Sequence, residues 1–168
     1  FGKDWGMYII NTKGEIVNKK RMQASDISFI GNFICAKDYS DRYRLLFIDG
    51  TPVFDIEFCN IDKPDEYGWI QVSTNTEHNS DDEDYYEWNS RPSYDYQYGL
   101  VMPNGKLFGG KLWESIFKHD NGILRLIDED DKVLLMTRNG ELIGGTAFDM
   151  VDPFNKEYKT VLVKLNGK

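Results

Sequence analysis

The hydrophobic pattern of this chain consists of short apolar runs separated by glycine turns, and the pattern recurs four times. Its clearest shared feature is a glycine that stands two or three residues before an apolar residue. We call these the anchor glycines: Gly14, Gly50, Gly105 and Gly140, at spacings of 36, 55 and 35 residues. Self-similarity at a fixed period is the signature of a repeat protein, so the pattern predicts four units of about 35 residues. The units cover residues 5–38, 43–74, 98–128 and 132–165.

Other apolar positions keep nearly constant distances from the anchor glycines. An apolar pair precedes each one: Ile9-Ile10, Leu45-Leu46, Leu100-Val101 and Leu135-Met136. Eight residues after the anchors come Met22, Phe58, Trp113 and Phe148, and eleven after come Ser25, Ile61, Ile116 and Val151. An apolar run then closes each unit: residues 33–36, 69–72, 123–126 and 161–163. Agreement at this many positions indicates a shared structural unit.

Each unit is predicted to form three short antiparallel strands. Asn104-Gly105 and Asn139-Gly140 lie between apolar runs, which predicts hairpins whose two turn residues both have positive φ. The pairs Gly109-Gly110 and Gly144-Gly145 predict a bend or bulge after the second strand. Units that cannot bury an apolar face alone must pack on their neighbours. We therefore expect an all-β tandem array with a solenoid-like stack, with a propeller-like arrangement or a closed barrel as the alternative.

Several dipeptides of the pattern resemble the WG repeat family, also written KWG repeats. Trp5-Gly6 opens the first unit and Tyr98-Gly99 the third, whereas the second and fourth units carry Tyr43-Arg44 and Lys132-Val133 there. The anchor turn and apolar pair follow, and Phe148-Asp149 matches the aromatic–aspartate pair that ends the motif. The resemblance implies an all-β array with a binding or scaffolding role, and it implies no catalytic residue.

Residues 75–97 interrupt the array between the second and third units. This insertion carries seven acids and one base, Arg91, and therefore most of the chain's net charge of −8. One interpretation is a solvated acidic loop, and another is a recognition loop in which aromatic residues supply contact area and acids select a basic or polar partner. A calcium loop is a third, although the acids lack EF-hand spacing. The candidate binding residues are Asp81, Asp82, Asp84, Tyr85, Tyr86, Trp88, Tyr94 and Tyr96.

Composition narrows the classes of partner. The acidic balance opposes binding to nucleic acid or anionic lipid, and no apolar run approaches the roughly 18 residues of a membrane helix. We expect a protein partner, no nucleic acid and no membrane insertion. Cys35 and Cys59 are expected to be free, buried thiols. Because the chain opens at Phe1, we expect the native start to be missing, and we favour a cytoplasmic location.

Catalytic motifs are absent from the sequence. It contains no HExxH, CxxC, P-loop or GxGxxG pattern, and Ser115, His119 and Asp120 lack any sign of triad geometry. We therefore predict a non-enzymatic binding or scaffold module without cofactor, metal or catalytic residue. The alternatives are a structural repeat segment of a larger protein, and a carbohydrate-binding or hydrolytic protein that uses exposed tyrosine and tryptophan.

Overall fold

The chain folds into small antiparallel sheets of two or three strands, as the all-β prediction requires. The computed structural model of the protein describes residues 6–18, 21–78, 93–119, 122–153, 155, 157 and 160–165. The chain divides into two compact bodies. The first comprises Phe1–Tyr96 and Leu100–Leu107, and the second comprises Gln97–Gly99 and Phe108–Lys168.

Eleven strands lie in the described part of the chain. They are β1 (Asp26–Ile30), β2 (Phe33–Lys37), β3 (Tyr43–Leu46), β4 (Asn60–Ile61), β5 (Ile70–His78), β6 (Ser93–Val101), β7 (Ser115–Lys118), β8 (Ile123–Ile127), β9 (Val133–Thr137), β10 (Met150–Val151) and β11 (Val163–Lys164). The sheets are β1-β2-β3, β4-β5-β6, β7-β8-β9 and β10-β11. In each three-stranded sheet, the closing strand of one predicted unit is central and pairs with the opening strand of the next.

The anchor glycines all occupy the same kind of turn, and it differs from the predicted one. At each turn two backbone bonds recur, as at Met102, whose N–H donates to the Lys106 carbonyl (2.9 Å) and whose carbonyl accepts from Gly105 (2.9 Å). The anchor glycines have φ between 81° and 87°, whereas Asn104 and Asn139 are not among the described residues with positive φ. The prediction that both turn residues are left-handed was therefore wrong. The pattern is typical of a three-residue loop, in which a type I turn precedes one left-handed glycine.

The chain returns from each anchor turn along the strand that it has just left. Isolated bridges join residues six apart around the glycine: Ile10↔Ile16, Leu46↔Pro52, Val101↔Leu107 and Met136↔Leu142. A second set joins residues fifteen apart: Met7↔Met22, Tyr43↔Phe58, Tyr98↔Trp113 and Val133↔Phe148. The same local geometry therefore recurs at all four anchor glycines.

The first unit contains a shift in register that apolar spacing did not reveal. The Ser25 N–H donates to the Lys37 carbonyl, as Cys59 does to Ser73 and Glu114 to Ile127. Ser25 therefore corresponds to Cys59 rather than to Ile61, although it was aligned with Ile61 by counting from the glycine. The partner of Ile61 in the structure is Val72, and its counterpart Ile27 pairs with Ala36. Two extra residues, Gln23-Ala24, account for the shift. With this correction Ile27, rather than Ser25, corresponds to Ile61, so the position is apolar in the first unit as well.

The glycine pairs let an aromatic ring lie against the backbone. A Cβ atom built on Gly144 would stand 2.7 Å from Cζ of Phe148, and one on Gly109 would stand 2.7 Å from Cζ2 of Trp113. Both glycines also have positive φ. In the second unit the equivalent residue is Phe54, whose ring packs edge-on against Phe58 at 6.2 Å between centroids. The glycines therefore supply both a left-handed turn and space for the ring.

Each body has its own apolar core. In the first body, one cluster contains Phe33, Leu45, Phe58, Ile70, Val72 and Val101, and a second contains Met22, Ala24, Ile34, Ala36 and Leu46. In the second body, a cluster contains Val133, Leu135, Phe148 and Val151. The apolar positions that recur at fixed distances from the anchor glycines, such as Phe58 and Leu45, thus include the most deeply buried side chains.

Candidate recognition hairpin

Short aspartate turns connect the closing strand of one unit to the opening strand of the next. Between β2 and β3, the Asp38 carboxylate accepts hydrogen bonds from the N–H groups of Ser40 (2.8 Å) and Arg42 (2.9 Å). Between β8 and β9, Asp128 accepts the equivalent bonds from Asp130 (3.1 Å) and Lys132 (2.9 Å). Each turn contains a left-handed aspartate, with φ of 60° and 58° respectively. The two connections are therefore built alike.

The Asp38 turn also has an electrostatic consequence. Its carboxylate is stabilised mainly by the Arg42 backbone N–H, and this hydrogen bond lowers the pKa of Asp38 below its ordinary value despite partial desolvation. Beside it, the side chain of Lys37 forms an ion pair with Asp41 at 2.7 Å, and this contact raises the pKa of Lys37. Asp38 therefore keeps its negative charge to a lower pH than an ordinary aspartate, and the charged form accepts both backbone hydrogen bonds.

The predicted insertion stands where these aspartate turns stand elsewhere. Ser73 corresponds to Lys37 and Ile127, because all three carbonyls accept the same bond from the returning chain. Tyr98 corresponds to Tyr43 and Val133, because each forms the bridge to a residue fifteen positions later. Residues 74–97 therefore replace the short turns formed by residues 38–42 and 128–132. Counted from these correspondences, the inserted segment comprises residues 74–97.

The ends of the insertion are strands, so it is not a loop throughout. β5 continues to His78 and β6 begins at Ser93, and each is a nine-residue strand. Their counterparts β2, β3, β8 and β9 have four or five residues. The Asn75 side chain accepts a hydrogen bond from the Arg42 guanidinium, which ties the middle of β5 to the turn between β2 and β3. We call β5 and β6 the stem of the hairpin.

Two of the predicted binding residues lie on the stem. The side chains of Tyr94 and Tyr96 are 40% and 44% exposed, and their ring centroids are 6.4 Å apart. Because alternate residues of a strand face the same side, the two rings form one aromatic surface. Asp95, between them, is exposed. The other predicted residues, Asp81, Asp82, Asp84, Tyr85, Tyr86 and Trp88, lie outside the described part of the chain.

The described residues form no recognisable catalytic constellation. His119 lies in the turn between β7 and β8, where its N–H donates to the Ile123 carbonyl at 2.9 Å, and Ser115 lies on β7. No group of three or more histidine, cysteine, aspartate or glutamate side chains within the described ranges is arranged to hold a metal ion. Asp120, the third residue of the triad considered above, lies outside those ranges.

The two cysteines have different environments. Both are free thiols, but Cys35 is buried on β2 whereas Cys59 is partly exposed. The prediction that both are buried was therefore wrong for Cys59. Burial raises the pKa of the Cys35 thiol, with a smaller contribution from Asp26, against a hydrogen bond with Ser28 that lowers it. Sγ of Cys59 lies 3.3 Å from the Ser73 carbonyl oxygen.

Comparison with known proteins gives no family assignment. No family model and no curated protein sequence matches this chain. In the described part of the chain, no helix combines the length and the apolar character needed to cross a bilayer.

Sequence reasoning missed the aspartate turns, although the sequence contains a signal for them. The turn residues are Asp38-Tyr39-Ser40-Asp41-Arg42 and Asp128-Glu129-Asp130-Asp131-Lys132. In both, an aspartate comes first, a second aspartate comes fourth and a cation comes fifth. Aspartate accepts bonds from the backbone two residues on and tolerates left-handed conformation better than most residues. This shared pattern would have marked the unit boundaries and the position of the insertion.

Proposed function

We propose that this protein is a non-enzymatic binding module that recognises a protein partner through the hairpin at residues 74–97. The proposal rests on where the hairpin lies in the chain, at a place where equivalent strands are joined by a short turn. The five-residue connection found between β2 and β3 and between β8 and β9 is replaced here by residues 74–97, which comprise the additional ends of β5 and β6 and the segment between them. Because the short turn is sufficient to join these strands elsewhere, the additional residues are not needed for the connection itself.

The composition of the hairpin supports a protein partner with basic or polar character. The seven acids and single base of residues 75–97 give it most of the chain's net negative charge, while Tyr94 and Tyr96 present adjacent rings to solvent. Tyrosine supplies contact area and a hydroxyl at a small cost in side-chain entropy. Acidic groups steer an oppositely charged partner and favour its orientation. The chemistry is that of a recognition surface, with aromatic residues for affinity and carboxylates for selection.

We further propose that the four units belong to a WG-type array stacked as a solenoid. The recurrence of the anchor turns and of both sets of bridges supports one structural unit used four times. The resemblance to WG repeats rests on the dipeptides of the sequence and gives the array its scaffold role. In this interpretation the units position the hairpin and take no part in recognising the partner.

The proposed function is tested by replacing residues 74–97 with a copy of the turn Asp128–Lys132. This graft uses a connection that the protein already employs between two equivalent strands, so the variant is expected to fold. Circular dichroism and thermal unfolding check the fold. Affinity capture from extracts of the source cells, quantified against the parent protein, then identifies the partners that depend on the hairpin. We expect the graft to lose specific partners that the parent protein captures.

Two further variants separate the parts played by charge and aromatic surface. Changing Asp81, Asp82 and Asp84 to Asn removes charge alone, and changing Tyr94 and Tyr96 to Ser removes the exposed rings. Each is expected to weaken binding to the purified partner about tenfold or more. Tyr39→Ser is the matched control, because Tyr39 is 81% exposed in a short turn. A folded graft that captures the same partners with the same affinity would contradict the proposal.

A further inference from the structure

The strand β6 has two edges, one that pairs with β5 and one, which we call the outer edge, that faces away from β5. On the outer edge Tyr98 exchanges two backbone hydrogen bonds with Trp113, both of 2.7 Å. The returning chain then leaves β6, because the N–H of the next residue, Glu114, donates to the Ile127 carbonyl instead (2.9 Å). Residues 93–97 therefore extend beyond the part of the outer edge that the returning chain pairs.

The strands that correspond to β6 lack this extension. β3 begins at Tyr43 and β9 begins at Val133, and each of these first residues already forms the bridge to the returning chain, at Phe58 and Phe148 respectively. In β6 the same bridge is formed by the sixth residue of the strand, because β6 begins at Ser93. The additional length of outer edge is therefore a consequence of the insertion.

The backbone groups of Tyr94 and Tyr96 point to the outer edge. Both backbone hydrogen bonds of Tyr98 lie on that edge, and alternate residues of an antiparallel strand direct their N–H and C=O groups to the same side. Tyr94 and Tyr96 together offer two donors and two acceptors there, and no described residue forms a backbone hydrogen bond with them on that side. The described part of the chain thus leaves these groups available to a further strand.

The stem is also a narrow ribbon. β4 pairs with β5 at Ile61↔Val72 and Asn60↔Ser73, so beyond Ser73 the described sheet consists of β5 and β6 alone. Residues 94–97 are exposed, although alternate residues of a strand face opposite sides of the sheet. A two-stranded ribbon is marginally stable in water, whereas three strands can be stable. A strand added to β6 would therefore stabilise the stem as it binds.

The charge of the hairpin indicates a basic occupant. Residues 75–97 carry seven acids and one base, and hence a net charge of −6, and β6 itself contains no lysine or arginine. On β5, by contrast, the Asn75 side chain already accepts a hydrogen bond from the Arg42 guanidinium, so a second cation is disfavoured there. A cation on the face of the added strand that it shares with Tyr94 and Tyr96 can lie over a tyrosine ring, which is a favourable contact.

We propose that an extended segment of the protein partner, with lysine or arginine at alternate positions, adds to the outer edge of β6 as an antiparallel strand. This is the direction in which the chain at Trp113 already pairs with Tyr98. Backbone hydrogen bonds to Tyr94 and Tyr96 supply affinity for any extended segment, while the rings and the negative charge select a basic one. The inference rests on the proposed function, because it gives the binding mode of the same hairpin.

Amide hydrogen exchange in the protein alone tests whether the outer edge is open. The amides of Tyr94 and Tyr96 are expected to exchange faster than those of Asp95 and Gln97, whose N–H groups face β5. Slow exchange at both Tyr94 and Tyr96 would show that the chain itself pairs with this edge, and it would overturn the proposal.

Peptide binding tests the chemistry of the occupant. The probe is a short peptide in which lysine and threonine alternate, and the same peptide with glutamate in place of lysine is the charge control. The lysine peptide is expected to bind, to shift the amide NMR signals of Tyr94 and Tyr96, and to slow their exchange. Failure of the lysine peptide to bind, or binding that leaves these two amides unchanged, overturns the proposal.

Methylation of the peptide backbone distinguishes strand addition from binding by side chains alone. A residue directly opposite Tyr94 or Tyr96 lies on the face of their rings and directs its N–H group to β6, whereas its neighbours direct theirs to solvent. With the lysines in these opposite positions, methylation of the lysine nitrogens should weaken binding about tenfold or more, and methylation of the threonine nitrogens should leave it unchanged. Equal affinities of the two methylated peptides overturn strand addition.

Two variants of one residue test the same contact from the protein. Tyr96→Thr removes the ring and keeps the backbone N–H, whereas Tyr96→Pro removes both. Proline is tolerated in an edge strand where the N–H faces away from the sheet, and circular dichroism checks the fold. The proline variant is expected to bind the lysine peptide about three- to tenfold more weakly than the threonine variant. Equal affinities of the two folded variants contradict a backbone bond at Tyr96.

The graft of the Asp128–Lys132 turn separates failure of this inference from failure of the proposed function. A folded graft that binds the lysine peptide as tightly as the parent protein contradicts both, because the hairpin is then not the binding site. Binding that the graft loses, together with equal affinities of the two methylated peptides for the parent protein, overturns strand addition alone. The hairpin would then bind basic segments through its side chains.

Discussion

The opening segment at residues 6–10 and the strand β3 show how the same local structure acquires different burial. Both turn at an anchor glycine, and both form bridges to residues six and fifteen positions later. Yet Ile10 is largely exposed where Leu46 is buried. The difference comes from β2, which covers one edge of β3 and contributes Ile34 and Ala36 to the cluster around Leu46. The two segments thus share their local fold, while much of the burial of Leu46 comes from the neighbouring strand β2.

The largest expected effect is a difference in stability between Leu46→Ala and Ile10→Ala. Loss of a buried leucine side chain costs about 2–5 kcal/mol, whereas exposed substitutions stay within about 0.5 kcal/mol. The free energy of unfolding from urea titrations measures both, at a protein concentration where the sample is monomeric. Comparable losses in the two variants would show that the segments have the same environment.

A smaller effect is expected at the glycine pairs, where the contacts lie within one unit. Gly144→Ala and Gly145→Ala both place an L-residue at positive φ, at a cost of about 1–2 kcal/mol. Only at Gly144 does the new Cβ meet the Phe148 ring, while nothing lies within 4 Å at Gly145. Overpacking should therefore cost Gly144→Ala about 1–3 kcal/mol more. Equal unfolding free energies for the two variants would contradict the contact between backbone and ring.

The aspartate turns that join the units should have a smaller, pH-dependent effect. The pKa of Asp38 is lower in the folded protein than in the unfolded chain. Its contribution to stability is therefore present above the unfolded pKa and is lost as the pH falls through the folded pKa. Asp38→Ala should lower the unfolding temperature at neutral pH and by less in strong acid. Asp38→Asn keeps an acceptor oxygen for both N–H groups and serves as the control. A loss for Asp38→Ala that is the same at every pH would exclude the charge as its source.

The smallest expected difference is in the labelling of the two cysteines by a thiol reagent. Cys35 lies on β2, which is paired on both edges, and its pKa is raised by burial. Cys59 is partly exposed. A thiol reagent at neutral pH should label one cysteine in the folded protein and two in denaturant, and peptide mapping should locate the first label at Cys59. Rapid labelling of Cys35 in the native protein would show that the strand is less protected than its pairing indicates.

The sequence predicted the features that glycine and apolar spacing determine directly. Gly14, Gly50, Gly105 and Gly140 were recognisable because a left-handed turn position favours glycine so strongly. The turn type was not, since Asn-Gly also occurs in a three-residue loop whose asparagine is not left-handed. The shift at Gln23-Ala24 was missed because counting from a glycine assumes equal spacing, whereas hydrogen bonds fix the register. At the candidate site, the strands at both ends of residues 75–97 were not predicted, because polar residues such as Asn75 and Thr76 gave no apolar alternation.

Amide hydrogen exchange tests most directly whether burial is supplied by the preceding closing strand. The measurement compares the amides of Tyr8 and Ile10 with those of Arg44 and Leu46, at a concentration where the protein is monomeric. We expect Arg44 and Leu46 to exchange orders of magnitude more slowly, because their amides face β2, whereas no described residue forms a backbone hydrogen bond with Tyr8 or Ile10. Equal protection of the two pairs in the monomer would contradict it.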